Sequence, residues 1–74
     1  MSRLSKQSMH TEARELAAGY LANDLTARRT LTQYVAKPAQ RKLGVLLLVG
    51  YHLAKQDVAV HGRFVTETLN QIAG

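Results

Sequence analysis

Cysteine is absent from this 74-residue chain, so neither a disulfide nor a cysteine-ligated metal site is available to it. A chain of this length buries only about 60% of its unfolded surface, which makes its hydrophobic core marginal. Self-association is a common way for small domains to bury more surface, so we expect a homodimer. Apolar residues make up 46% of the sequence, which is typical of a globular protein and too many for a disordered one.

Long hydrophobic runs are also missing. The longest, counting its glycines, spans residues 43–51, far short of the roughly 18 residues that a membrane-spanning helix needs. The first ten residues lack the apolar segment of a signal peptide. We therefore interpret residues 1–10 as a disordered basic arm before a single domain at 11–74, and we expect a cytoplasmic protein.

Acidic residues are missing from residues 25–56, a stretch that carries six lysines and arginines. The segments on either side sum to zero and to −1, so the net charge of +5 comes from this middle part. A basic protein with a pI near 10.1 favours acidic partners such as nucleic acid. The most apolar run of the chain, LGVLLLVGY, lies within the same stretch.

The first half of the chain predicts two helices. Apolar side chains recur at helical spacing over 11–22 and over 26–36. Asn23 favours a break between them because it tolerates the left-handed conformation, and Asp24 is a good N-cap for the second helix. The alternative is one continuous helix over 11–36.

The second half predicts two more helices. Pro38 ends the second helix and suits the first turn of the third, which we place at about 38–55. Asp57 is a reasonable N-cap for a fourth helix that reaches residue 73. A β-hairpin over 58–65, with its turn at His61 and Gly62, is the alternative there.

The third helix is apolar on both sides, which indicates burial on more than one side. We therefore expect an all-α fold of three to four short helices packed around a central apolar helix at about 39–55. One face carries Leu43, Leu46, Leu47, Gly50 and Leu53. We predict that the other face, with Val45, Leu48, Val49 and His52, is a dimer seam or a partner interface. Complete burial by the other helices of the same chain is the alternative.

Catalytic patterns are absent. The three serines lie in the expected disordered arm, the five carboxylates are scattered over separate segments, and no glycine-rich phosphate loop occurs. His52, Asp57 and His61 are two histidines and a carboxylate without a recognised metal-binding motif. We predict a protein that is not an enzyme and that has no cofactor and no metal.

Nucleic-acid binding is better supported through the phosphate backbone than through the bases. A helix-turn-helix would make the apolar segment 43–49 the recognition helix, which offers base edges no donor or acceptor. Backbone contacts need only charge and reach. The cations that flank the junction of the second and third helices meet this need: Arg28, Arg29, Lys37, Arg41 and Lys42.

Our leading hypothesis is a small regulatory binding protein, a dimer whose basic edge at residues 28–42 contacts DNA or another acidic macromolecule. The runner-up is an adaptor, chaperone or inhibitor that docks a protein partner on the apolar helix at 43–54.

Overall fold

The structure, a computed structural model, describes the backbone of residues 2–73 and the side chains of residues 6–68, 70 and 71. The elements are α1 (Ser2–Leu21), α2 (Leu25–Ala36), α3 (Gln40–Gln56), α4 (Val58–Phe64), a π-helical turn (Val65–Leu69, the π-turn) and α5 (Asn70–Ala73). The predicted all-α fold is confirmed. No strand occurs in the described backbone, so the hairpin alternative for 58–65 is wrong.

The break between α1 and α2 lies where the sequence predicted it. Asn23 adopts the left-handed conformation, with φ at 63°. The Oδ1 atom of Asp24 accepts a hydrogen bond from the Thr26 backbone N–H at 3.2 Å, which satisfies one donor at the start of α2. The single continuous helix is therefore excluded.

The start of α4 follows the same local chemistry, and the start of α3 does not. The Oδ1 atom of Asp57 accepts from the backbone N–H groups of Ala59 at 3.0 Å and Val60 at 3.3 Å, so it caps α4 as predicted. At α3 the N-cap residue is Ala39, whose side chain has no oxygen to accept a hydrogen bond. The start of this 17-residue helix thus has no side-chain cap.

The first helix begins much earlier than predicted. Residues 2–10, expected to form a disordered arm, continue α1 back to Ser2. Two residues of this extension make tertiary contacts. The half-buried Met9 packs against the core and its terminal methyl lies over Gly44, while the Oγ atom of Ser8 accepts a hydrogen bond from Arg41 at 3.1 Å.

The core contains residues from α1, α2, α3 and α4. The α1 and α2 helices run antiparallel, because Gly19 faces Ala27 at one end and Glu12 meets Tyr34 at the other. A side chain at Gly19 would collide with the Ala27 methyl, so glycine permits this close approach. The buried apolar residues are Ala13, Leu16, Ala17, Tyr20, Ala27, Leu31, Val45, Leu46, Val49, Leu53 and Phe64.

Candidate functional site

The five cations predicted to form one basic edge do not form a single surface. Lys37, Arg41 and Lys42 lie at the connection between α2 and α3, which we call the cationic corner. Arg29 is exposed on α2, two turns before Lys37. Arg28 points to another side of α2, where its guanidinium carbon lies 5.1 Å from the centre of the Tyr20 ring. Adjacent residues on a helix point about 100° apart, which explains why Arg28 and Arg29 separate.

The cationic corner is anchored to α1 through one carboxylate. Arg41 donates from Nη1 to the Oε1 atom of Glu12 at 2.9 Å, and the hydroxyl of Tyr34 donates to the other oxygen. Lys42 places its ammonium 5.2 Å from the centre of the Tyr34 ring. The corner therefore contains the ion pair that joins the start of α3 to α1.

These partners favour the ionised form of Glu12. Burial raises its pKa, but the hydrogen bonds from Tyr34 and Arg41 and the charges of Arg41 and Lys42 outweigh this effect and hold the pKa below 4.5. The hydrogen bond to Glu12, followed by burial, raises the pKa of Tyr34 above 10.0. The phenol is therefore neutral at physiological pH and acts as a donor.

The second concentration of polar side chains surrounds a pocket of about 250 Å³ between α2 and the C-terminal third of the chain. The hydroxyl of Tyr20 donates to the Oε1 atom of Glu67 at 2.8 Å, and Arg28 lies over the same ring. Burial, together with the hydrogen bond to Glu67, raises the pKa of Tyr20 above 10.0. Thr68, the one buried polar residue among the described side chains, also lines the pocket.

The π-turn carries both Glu67 and Thr68 to this pocket. Single π-helical turns are rare and are frequently found at functional sites. Sequence reasoning missed the pocket because Tyr20 and Glu67 are 47 positions apart. No motif spacing links them, and no local signal distinguished Arg28 from Arg29.

The apolar face that α3 exposes is not the face that the sequence predicted as an interface. Val45 and Val49 have no exposed surface and are core residues of the single chain, so they do not form an outward seam. Leu48 and His52 are half-buried. The apolar side chains that α3 does expose are Leu47, at 57%, and Tyr51, at 54%, although Leu47 was expected on a core face. A helix that is apolar all round does not reveal which side its neighbours cover.

Two histidine rings, those of His10 and His52, lie in contact. The rings of His10 and His52 meet edge to face at 6.0 Å. Burial, followed by the charges of His10, Lys55 and Arg14, lowers the pKa of His52 below 6.5.

No three histidine or acidic side chains gather as metal ligands in the described part of the chain. Within the same residues, no helix combines the length and the apolar character needed to cross a lipid bilayer.

Comparison with protein-family models, curated proteins and solved structures finds no match to this chain. The cationic corner, the pocket and the exposed face of α3 are therefore the features from which we infer a function.

Proposed function

We propose that this protein is a small, non-enzymatic, cytoplasmic binding protein whose cationic corner contacts the phosphate backbone of DNA. The observation that carries the proposal is the separation of the corner from two of the five acidic residues, Asp24 and Asp57. Asp24 lies at the far end of α2, about 18 Å away, and Asp57 at the far end of α3, about 25 Å away. Both distances exceed the screening length of about 8 Å at physiological salt, so these carboxylates do not neutralise the corner.

The carboxylates nearer the corner reduce its charge only in part. Glu12 is paired with Arg41, and Glu15 lies one turn further along α1. Lys37 and Lys42 keep their charge, and Arg29 adds a fourth cation along α2. The corner thus keeps an excess of positive charge where α2, α3 and the first half of α1 meet.

The contacts that hold these cations are weak enough to exchange for phosphate. The Arg41 side chain is 46% exposed, and surface ion pairs contribute about 0–1 kcal/mol. Lys42 is half-buried over Tyr34, and a cation over an aromatic ring contributes about 0.5–2 kcal/mol, more as it becomes desolvated. The uncapped N-terminus of α3 also directs backbone N–H groups to the same place, and such donors favour phosphate oxygens.

The test is fluorescence anisotropy of a labelled DNA duplex with the full chain over a range of salt concentrations. Each phosphate contact adds about 0.9 to the slope of log affinity against log salt. The double variant Arg41→Gln, Lys42→Gln should lower the affinity and reduce this slope by about 2. The matched control, Lys55→Gln with Arg63→Gln, removes the same charge from residues outside the corner and should keep the slope.

Equal losses in the two double variants would show that net charge alone attracts the duplex. Binding that does not change with salt would contradict backbone contact altogether. Either result would overturn the proposed role of the corner.

The exposed stripe of α3 favours a second proposal, self-association. Leu43, Leu47 and Tyr51 follow one another at i, i+4 and i+8, and the last two are more than half exposed. A second copy of the chain is the occupant we propose, because a small core gains most from further apolar burial. A protein partner on the same stripe is the alternative reading of this surface.

Light scattering after size-exclusion chromatography measures the mass directly. The wild type should elute as a dimer and Leu47→Asp as a folded monomer. Leu25→Asp, which changes a side chain that is 70% exposed on α2, is the control and should remain dimeric. A monomeric wild type would contradict the dimer and would leave the stripe to another protein.

A further inference from the structure

The pocket beside the π-turn contains two opposite charges that do not pair with each other. Arg28 and Glu67 both line it, yet the one ion pair among the described side chains joins Arg41 to Glu12. Glu67 uses Oε1 to accept from Tyr20. Its Oε2 atom accepts no hydrogen bond from the described residues. The pocket thus presents a guanidinium over the Tyr20 ring and a free carboxylate oxygen beside the Tyr20 hydroxyl.

Arg28 also has a donor that lacks a partner. Its Nε atom is buried and makes no hydrogen bond within the described part of the chain. A buried donor without a partner costs about 1–3 kcal/mol, more when it is charged. Arg28 nonetheless lines the pocket, and the two Nη atoms of a guanidinium donate to both oxygens of one carboxylate at once.

The rest of the lining is suited to a short apolar group. Leu31 is buried and Val35 half-buried beneath the polar side chains, while Thr32 and Thr68 add hydroxyls. A volume of about 250 Å³ holds roughly eight water molecules and lies near the lower end for ligand pockets. The occupant is therefore small, with both charges close to an apolar body.

We propose that this pocket binds a small zwitterion of the α-amino-acid class with an apolar side chain. Its carboxylate pairs with Arg28, its ammonium with the Oε2 atom of Glu67, and its side chain lies on Leu31 and Val35. This site is separate from the cationic corner and does not depend on DNA binding.

Three probes of similar shape separate the contributions of the two charges. L-leucine carries both, L-leucinamide lacks the carboxylate, and 4-methylpentanoate lacks the ammonium. Titration of the ¹⁵N-labelled full chain, followed by NMR, should shift the amides of Glu67 and Thr68 and the Nε–H of Arg28. L-leucine should bind about tenfold more tightly than either analogue, since each loses one charge-assisted hydrogen bond.

Arg28→Gln should weaken L-leucine about tenfold and leave L-leucinamide unchanged, because the latter has no carboxylate to lose. Arg29→Gln, the neighbouring cation outside the pocket, is the matched control and should bind L-leucine as the wild type does. Thermal melting shows whether each variant is folded, and the comparison of probes on the wild type needs no variant.

Three results with the wild-type chain would overturn the proposal. They are equal binding of 4-methylpentanoate and L-leucine, equal binding of L-leucinamide and L-leucine, and shifts that do not saturate up to the solubility limit of L-leucine. An equal loss in Arg28→Gln and Arg29→Gln would do the same, since it would place the carboxylate outside the pocket.

Discussion

Two clusters in this molecule combine a tyrosine, a glutamate and an arginine, and they differ in where the guanidinium lies. In the corner cluster, Arg41 and Tyr34 both donate to Glu12. In the pocket cluster, Tyr20 donates to Glu67 while Arg28 stacks over the tyrosine ring. The same three residue types thus give a closed ion pair at one site and two separated charges at the other.

The difference follows from which helices supply the residues. In the corner cluster the arginine comes from α3, which crosses α1 close to Glu12. In the pocket cluster both ring and guanidinium belong to the α1–α2 pair, whereas the carboxylate comes from the π-turn. The residue types of a cluster therefore do not determine whether its charges are available to a ligand.

The largest loss of stability is expected from substitution of the more deeply buried of the two tyrosines. Tyr20 is 5% exposed and packs edge to face on Phe64 at 5.5 Å between ring centres, whereas Tyr34 is half-buried. Tyr20→Ala should lower the free energy of unfolding by about 3 kcal/mol or more, and Tyr34→Ala by distinctly less. Urea denaturation measures both. Equal losses would show that the two clusters contribute alike to stability.

The next loss of stability in size is expected from an alanine substitution at one of the two glycines that lie beside the clusters. A methyl at Gly19 collides with the Ala27 Cβ, which cannot rotate away, so Gly19→Ala should cost about 1–3 kcal/mol despite the better helix propensity of alanine. A methyl at Gly44 meets only the terminal methyl of Met9, a flexible side chain. Gly44→Ala should therefore change stability much less. A larger loss at Gly44 than at Gly19 would contradict the close α1–α2 approach.

A smaller loss of stability, which appears only at acidic pH, is expected from the corner cluster. The pKa of Glu12 is held below 4.5 in the folded protein, so the unfolded chain binds a proton first as the pH falls. The resulting stability is present at pH values above 4.5 and is lost as the pH falls through the folded pKa. Glu12→Gln should abolish this part of the acid-induced decrease in melting temperature. An unchanged decrease in Glu12→Gln would assign the loss to other carboxylates.

The smallest expected effect concerns His52, which lies outside both clusters. Its pKa is lowered below 6.5 in the folded state, so the unfolded chain takes up the proton first. Stability should fall slightly as the pH decreases from above 6.5, before Glu12 begins to titrate. His52→Gln should remove this early step and leave the later one. A melting temperature that is constant over the early range in the wild type would contradict it.

The parts of the fold that sequence predicted are those that local side chains determine. Asn23 and Asp24 end one helix and begin the next through their own backbone and side-chain geometry, and Asp57 does the same before α4. These contacts join residues two or three positions apart, so both partners lie within one short stretch of sequence.

The parts that sequence did not predict depend on distant contacts. Val45 and Val49 are buried while Leu47 and Tyr51 are exposed, because the other helices cover α3 on one side only. In the extension of α1, Ser8 and Met9 contact α3, which lies far along the chain. The division of the predicted basic edge into corner and pocket depends on Glu12 and Glu67, whose partners lie far along the chain.

The π-turn has a consequence for insertions and deletions. Its hydrogen bonds join residues five positions apart instead of four, so one turn holds one more residue than a turn of α-helix. The π-turn therefore acts as a single-residue insertion between Phe64 and Asn70. Removal of the exposed Thr66 would allow one continuous α-helix from Val58 onward. Because the π-turn accommodates the extra residue, its removal would leave the later residues on the faces that they now occupy, and Gln71 would stay at the pocket. The same deletion within a regular α-helix would rotate every later residue by about 100°. The π-turn is therefore the part of this segment that can lose one residue without turning the residues that follow it.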